Sequence, residues 1–112
     1  MKCLGIESTA HTFSCAVLER KAKRGEILSD VRKIYGPPEG EGIHPREASR
    51  HHVENSTIAL VEALQKANVS VTDLDIISYA AGPGLGPCLR VGAVVSRALA
   101  SYYEIPIFPV NN

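Results

Sequence analysis

The strand-like run Asp75-Ile76-Ile77-Ser78-Tyr79-Ala80 leads into Ala81-Gly82-Pro83-Gly84-Leu85-Gly86-Pro87, and a small-residue helix follows from Cys88. Few sequence features constrain a fold so tightly. Glycines let the backbone take positive φ and come close to a ligand or a neighbouring element. Pro83 and Pro87 fix φ nearby, and Pro87 suits the first turn of a helix. A helix N-terminus reached in this way offers free amides to phosphate or carboxylate. The pattern matches neither the Walker loop nor the dinucleotide fingerprint, and taken alone it favours a tight turn that packs a helix on a sheet.

Residues 2–9 and 12–19 are β-rich and joined by Thr9-Ala10-His11, which predicts a hairpin. Ile27 to Tyr35 predicts a third, antiparallel strand, and Gly36 to His44 a loop. Pro45 opens a helix expected to reach Asn68, with Glu47 favouring its first turn. Val53, Thr57, Leu60, Leu64 and Ala67 share a stripe at helical spacing, whereas Ile58 and Val61 point elsewhere and imply a second covered surface. The run 75–80 is apolar enough for burial on both faces. The helix from Cys88 to Tyr103 is apolar almost all round, with only Arg90, Arg97 and Ser101 as a polar strip. Ile105 to Asn112 predicts a last strand. This order predicts an α/β lobe with one mixed five-stranded sheet and two main helices.

The 112 residues fit one domain, and 45% hydrophobic content, 21% charged content and zero formal charge place no demand for nucleic acid on the total charge. Nine of the twelve Lys and Arg lie in residues 1–50, four of them as Arg20, Lys21, Lys23 and Arg24. That cluster reads as a solvated hairpin tip, with an electrostatic contact to RNA as the alternative. There is no signal-peptide pattern, and no apolar run approaches the ~20 residues that span a bilayer. Cys3, Cys15 and Cys88 are odd in number and far apart, which fits reduced thiols in a cytoplasmic protein.

The element order resembles the ribonuclease-H-like lobe of the actin, Hsp70 and sugar-kinase superfamily, in which two lobes face each other across a nucleotide cleft. Three stretches are more specific: Leu4 to Thr12, His44 to His52 and Ala81 to Gly92. Together they are similar to the universal tRNA threonylcarbamoyladenosine transferase family in its archaeal and eukaryotic branch, also met as O-sialoglycoprotein endopeptidase. The resemblance implies transfer of threonylcarbamoyl from an adenylate to N6 of the adenosine beside the tRNA anticodon. It implies iron or zinc, and threonylcarbamoyl-adenylate or ATP, in the cleft of the full-length protein. It also implies a KEOPS assembly with a small kinase-like ATPase and a small dimer-forming subunit docked on the lobe helices. Ile58, Val61, Val94, Val95 and Ala98 are the expected surface for that subunit. Family members carry His-x-x-x-His directly after the strand matching Ile105 to Asn112. Residues 1–112 are therefore expected to be an amino-terminal lobe, stopping before the metal ligands, inactive alone and binding no cofactor tightly.

By the same resemblance Glu7 and His11 are the catalytic candidates, and Ser8, Thr9, Gly82, Gly84 and Gly86 face phosphate or adenylate. His11 stands where bacterial relatives carry an acidic residue, so acid, base and hydrogen-bond donor all remain open. His51 and His52 are adjacent on a helix and point about 100° apart, a poor geometry for one ion. Hydrogen bonding near the cleft or plain exposure is expected for them, and capping or lining the loop for His44. Arg46 and Arg50 lie one turn apart, suited to tRNA phosphate or to pairing with Glu47 and Glu54. Two other functions compete: a noncatalytic paralogue lobe that serves as a binding module, and a metalloprotease. The absence of HExxH counts against the protease.

Overall fold

The computed structural model describes residues 1–37 and 39–111; Pro38 in the predicted loop and Asn112 at the end of the predicted last strand lie outside the described residues. Alternation builds the sheet. β1 (Lys2–Glu7) buries Leu4 and Ile6, β2 (Thr12–Lys21) buries Phe13, Cys15 and Val17, and β3 (Arg24–Ile34) buries Ser29 and Val31. The expected first hairpin forms, with Glu7 opposite Ser14 beside its turn. β3 starts at Arg24 and not at Ile27, because the chain reverses at Ala22 (φ 54°) and pairs Lys21 with Arg24. The basic cluster occupies that exposed tip. Below it, Lys21 at 3.2 Å and Lys2 at 3.5 Å flank Glu19 and hold its carboxyl below the ordinary value.

α1 (Pro45–Ala67) ends where Asn68 turns left-handed (φ 55°), its amide reaching the Gln65 and Leu64 carbonyls. A 3-10 turn at Val71–Asp73, closed by a Ser70–Asp73 capping box, leads to β4 (Ile76–Gly82), α2 (Gly86–Tyr103) and β5 (Ile107–Asn111). The sheet order is β3-β2-β1-β4-β5, with β1–β2 and β2–β3 antiparallel and β1–β4 and β4–β5 parallel. β5 is an edge strand whose Phe108 and Val110 are half exposed. α1 lies on β2 and β3, α2 lies on β4 and β1, and the helices touch each other. One core cluster joins Leu4, Ile6, Phe13, Val17 and Ile77 to Ala59, Ala63 and Ala100.

His52 apart, both helices bury small residues and leave several large ones outside. α1 buries Ala48, His52, Ser56, Ala59 and Ala63; α2 buries Cys88, Gly92, Ser96 and Ala100. This corrects the expected α1 stripe. Leu60, Leu64 and Ala67 are half-buried beside the core, but Val53 and Thr57 are exposed. The reason is close approach: the Ser29 hydroxyl donates to the Ala63 carbonyl at 2.8 Å, a distance that a bulky stripe would prevent. β4 is also corrected. Ile77 is buried in the core beneath the helices and Ala80 on the opposite face of the sheet, whereas Ser78 and Tyr79 remain half exposed.

A Cβ on Gly92 would lie 2.5 Å from Ser8 Oγ, but nothing stands within 4 Å of one on Gly86. Gly92→Ala should therefore cost about 1–3 kcal/mol by overpacking. Gly86→Ala should cost nothing, since alanine favours helix. Urea unfolding of the two variants checks the contrast.

Candidate active site

The turn between β1 and β2 is fastened to the start of α2. Ser8 is fully buried; its hydroxyl donates to the Cys88 carbonyl at 2.6 Å and accepts from the Gly92 amide at 3.0 Å. The Leu85 amide donates to the Thr9 carbonyl at 2.7 Å, and a Cβ on Gly84 would sit 2.5 Å from that same carbonyl oxygen. Ser8 is thus not a phosphate-facing group, because both functions of its hydroxyl are consumed inside the fold. Gly84 is required where two backbone segments meet. Gly82 supplies the left-handed φ of 146° that ends β4, and Gly86 is open at the first turn of α2.

The sheet face opposite the helices carries an open cleft of about 700 Å³, lined in part by Glu7, Thr9, His11, Asp30, Arg32 and Tyr79. The structure therefore brings Glu7, Thr9 and His11 together, while Ser8, Gly82, Gly84 and Gly86 do not line the cleft. Thr9 Oγ1 donates to Glu7 Oε1 at 3.0 Å, and the His11 ring pairs with the Thr12 hydroxyl. Arg32 and Asp30 form an ion pair at 3.0 Å on the cleft floor, and Asp30 raises the guanidinium pKa further. Sequence reasoning missed this pair. The signal was present, since Asp30 and Arg32 flank the buried Val31 and must share the outer face.

The histidines divide sharply. His44 takes the N-cap position of α1, and its carbonyl accepts from the Ala48 amide at 2.9 Å, but its ring makes no capping bond. His52 is fully buried against Phe13, with Nε2 2.7 Å from the Ala10 carbonyl oxygen and Nδ1 3.1 Å from His51 Nδ1. His51 leans on the Tyr35 ring, whose hydroxyl donates to Glu47 Oε2 at 2.8 Å. Iron or zinc does not fit these residues. Three of the four His51 and His52 ring nitrogens are engaged in these two contacts, and among the described residues no third ligand joins them. Among the described residues Arg46 and Arg50 pair with neither Glu47 nor Glu54. Both instead line a groove of about 550 Å³ between the helices, with Arg90, Val53, Val94 and Val95. Ile58 and Val61 are exposed on α1 and Ala98 on α2, all three outside that groove.

Residues 26–112 match the family profile described as tRNA N6-adenosine threonylcarbamoyltransferase. The chain belongs to this family. Curated relatives of that name from Pyrobaculum islandicum and Ignicoccus hospitalis are 51% and 52% identical to it over 112 residues. They match the whole of this chain but only 32% and 33% of their own lengths, so the chain spans about a third of these threonylcarbamoyltransferases. Among solved structures, YeaZ from Pseudomonas aeruginosa superposes with a TM-score of 0.74 at 19% identity, over 100% of this chain and 44% of that one. RuvC from Thermus thermophilus, in complex with a Holliday junction, gives 0.64 at 11% identity over 100% and 66%. These likenesses establish the fold, a ribonuclease-H-like lobe. Among the described residues no helix is long and apolar enough to cross a membrane.

Burial lowers the pKa of His51, opposed by Glu54, and burial lowers that of His52, opposed by its Ala10 bond and reinforced by His51 and His11. The folded state therefore binds protons less readily than the unfolded chain. Stability from these rings is complete above their ordinary value of 6.5 and is lost as pH falls through the lowered folded values. The midpoint of thermal unfolding should be lower at pH 5 than at pH 7.5, and less so in His52→Gln; an equal drop in the variant would assign the loss to other groups.

Proposed function

We propose that this chain forms the amino-terminal lobe of a catalytic subunit that transfers threonylcarbamoyl from its adenylate to N6 of the adenosine beside the tRNA anticodon. Family membership supports the reading. The observation that carries it is the placement of exposed Glu7 and His11 together at the rim of an open sheet face. In the transfer, N6 attacks the carbamoyl carbon, the bond to the adenylate phosphate breaks, and the amine proton passes to a base. The Glu7 carboxylate, steadied by Thr9 Oγ1, and the His11 ring are the two groups here that can take it. Thr9 and the free amides near Gly86 are the candidates for meeting adenylate. ATP or the adenylate, and iron or zinc, would occupy a cleft that a second lobe completes, so the lobe alone is proposed to be inactive.

The outer helix surface supports a binding role as well. Val53, Ile58, Val61 and Val94 are each about half exposed or more. We assign this surface to the small dimer-forming subunit of a KEOPS assembly that also holds the kinase-like ATPase and tRNA. The same surface favours the second reading, a noncatalytic binding lobe. Cytoplasmic residence fits the buried free thiols of Cys15, pushed up to about 12 by burial, and Cys88.

The test is a chimera in which residues 1–112 replace the matching third of the Pyrobaculum islandicum relative, assayed for labelled threonylcarbamoyl on tRNA. The chimera should transfer, and Glu7→Gln or His11→Ala should lower the rate roughly a hundredfold or more if either is the base. An inactive chimera beside an active parent would defeat the transferase reading. For the surface, this chain mixed with the relative's small subunit should co-elute on size exclusion, and Val94→Glu should abolish the shift. Co-elution unaffected by that change would remove Val94 from the interface.

A further inference from the structure

The proposed chemistry leaves the His51–His52 pair unused, yet the pair sits directly behind the turn that carries Glu7 and His11. Three successive carbonyls of that turn are each held from a different part of the fold. Thr9 O accepts from the Leu85 amide at 2.7 Å, ahead of α2; His11 O accepts from the Tyr35 amide at 2.7 Å, just past β3. Between them Ala10 O lies 2.7 Å from His52 Nε2, on α1. It is the one of the three held by a side chain.

The contacts dictate the tautomer. A carbonyl oxygen only accepts, so His52 Nε2 carries a proton. Neutral imidazole has a single N–H, so His52 Nδ1 is bare and accepts from His51 Nδ1–H across 3.1 Å. His51 is seated in turn by the Tyr35 ring at 5.8 Å between centroids. Full burial of His52 favours this neutral form. A ring that only filled space would need neither a fixed tautomer nor a partner that selects it.

We propose that His52, its tautomer set by His51, is the positioning residue of the Glu7–His11 turn, holding the Ala10 carbonyl so that both groups face the cleft. Its bearing on catalysis rests on the transferase reading above; the positioning does not.

The proposal is tested on the 112-residue chain itself. Long-range proton–nitrogen spectra of the wild type at pH 7.5 should show His52 Nε2 and His51 Nδ1 bearing protons and His52 Nδ1 bare. The opposite His52 tautomer, or rapid exchange between the two, overturns the proposal, and this result stands even if no variant folds. Amide exchange then reads the turn. His52→Leu should speed exchange at Leu85 and Tyr35 at least tenfold more than at Ile105 and Arg20, whose amides are bound elsewhere. His52→Gln, which keeps a donor near the Nε2 position, should restore protection. No acceleration, a uniform acceleration across the sheet, or failure of glutamine to restore protection would make His52 a core filler and overturn the proposal. None of these readouts involves transfer. An inactive chimera beside these expected results would count against the transferase reading alone.

Discussion

The Ser8 hydroxyl is the contact on which the arrangement of this lobe depends. It bridges the Cys88 carbonyl and the Gly92 amide, the two groups that an α-helix pairs at i and i+4. A residue of the first hairpin is thereby inserted into the backbone of the second helix, 80 and 84 positions later in the chain. Leaving such a buried donor or acceptor without its partner costs about 1–3 kcal/mol. The geometry also dictates Gly92, since no side chain fits beside Ser8. Gly84 obeys the same logic against the Thr9 carbonyl. Glycines that look like a ligand cradle here serve the contact between two protein segments, and the cleft rim takes its position from that contact.

Close approach has a second effect. With alanine, serine, glycine and cysteine facing the sheet, the helices settle low on it, as the Ser29 bond to the Ala63 carbonyl shows. Leu60, Leu64 and Leu99 still pack at the core's margin, but other larger apolar side chains have nowhere inside to go. Val53, Ile58, Val61 and Val94 are on the outside for this reason. The outward apolar surface and the tight interior are two sides of one choice of residue sizes.

The strands were the most legible part of the sequence, because alternation such as Leu4 and Ile6 against Gly5 and Glu7 carries its own face assignment. Pro45 and Pro87 marked both helix starts, and α2 begins two residues before the predicted Cys88. β3 was read three residues short, because Arg24, Gly25 and Glu26 pair across the hairpin without being buried. The α1 stripe failed for a different reason: periodicity weighs large residues, and here small ones are buried. At the site, the nearness of Glu7 and His11 is legible because both belong to one short hairpin connection. Ser8, Gly84 and His52 could not be read, because Cys88, Thr9 and Ala10, which they meet, lie far off in sequence.

The two outer strands are guarded in different ways. β3 presents Asp30, Arg32 and Lys33, charges that oppose the addition of a foreign strand. β5 has no such charges, and Phe108 and Val110 give it an adhesive apolar character. Between those two residues stands Pro109, which lacks an amide proton and so breaks the row of donors along the strand. A neighbouring molecule that tried to extend the sheet there would meet an interrupted template. One imino acid thus acts as a brake on fibril-like stacking at the lobe's stickiest border.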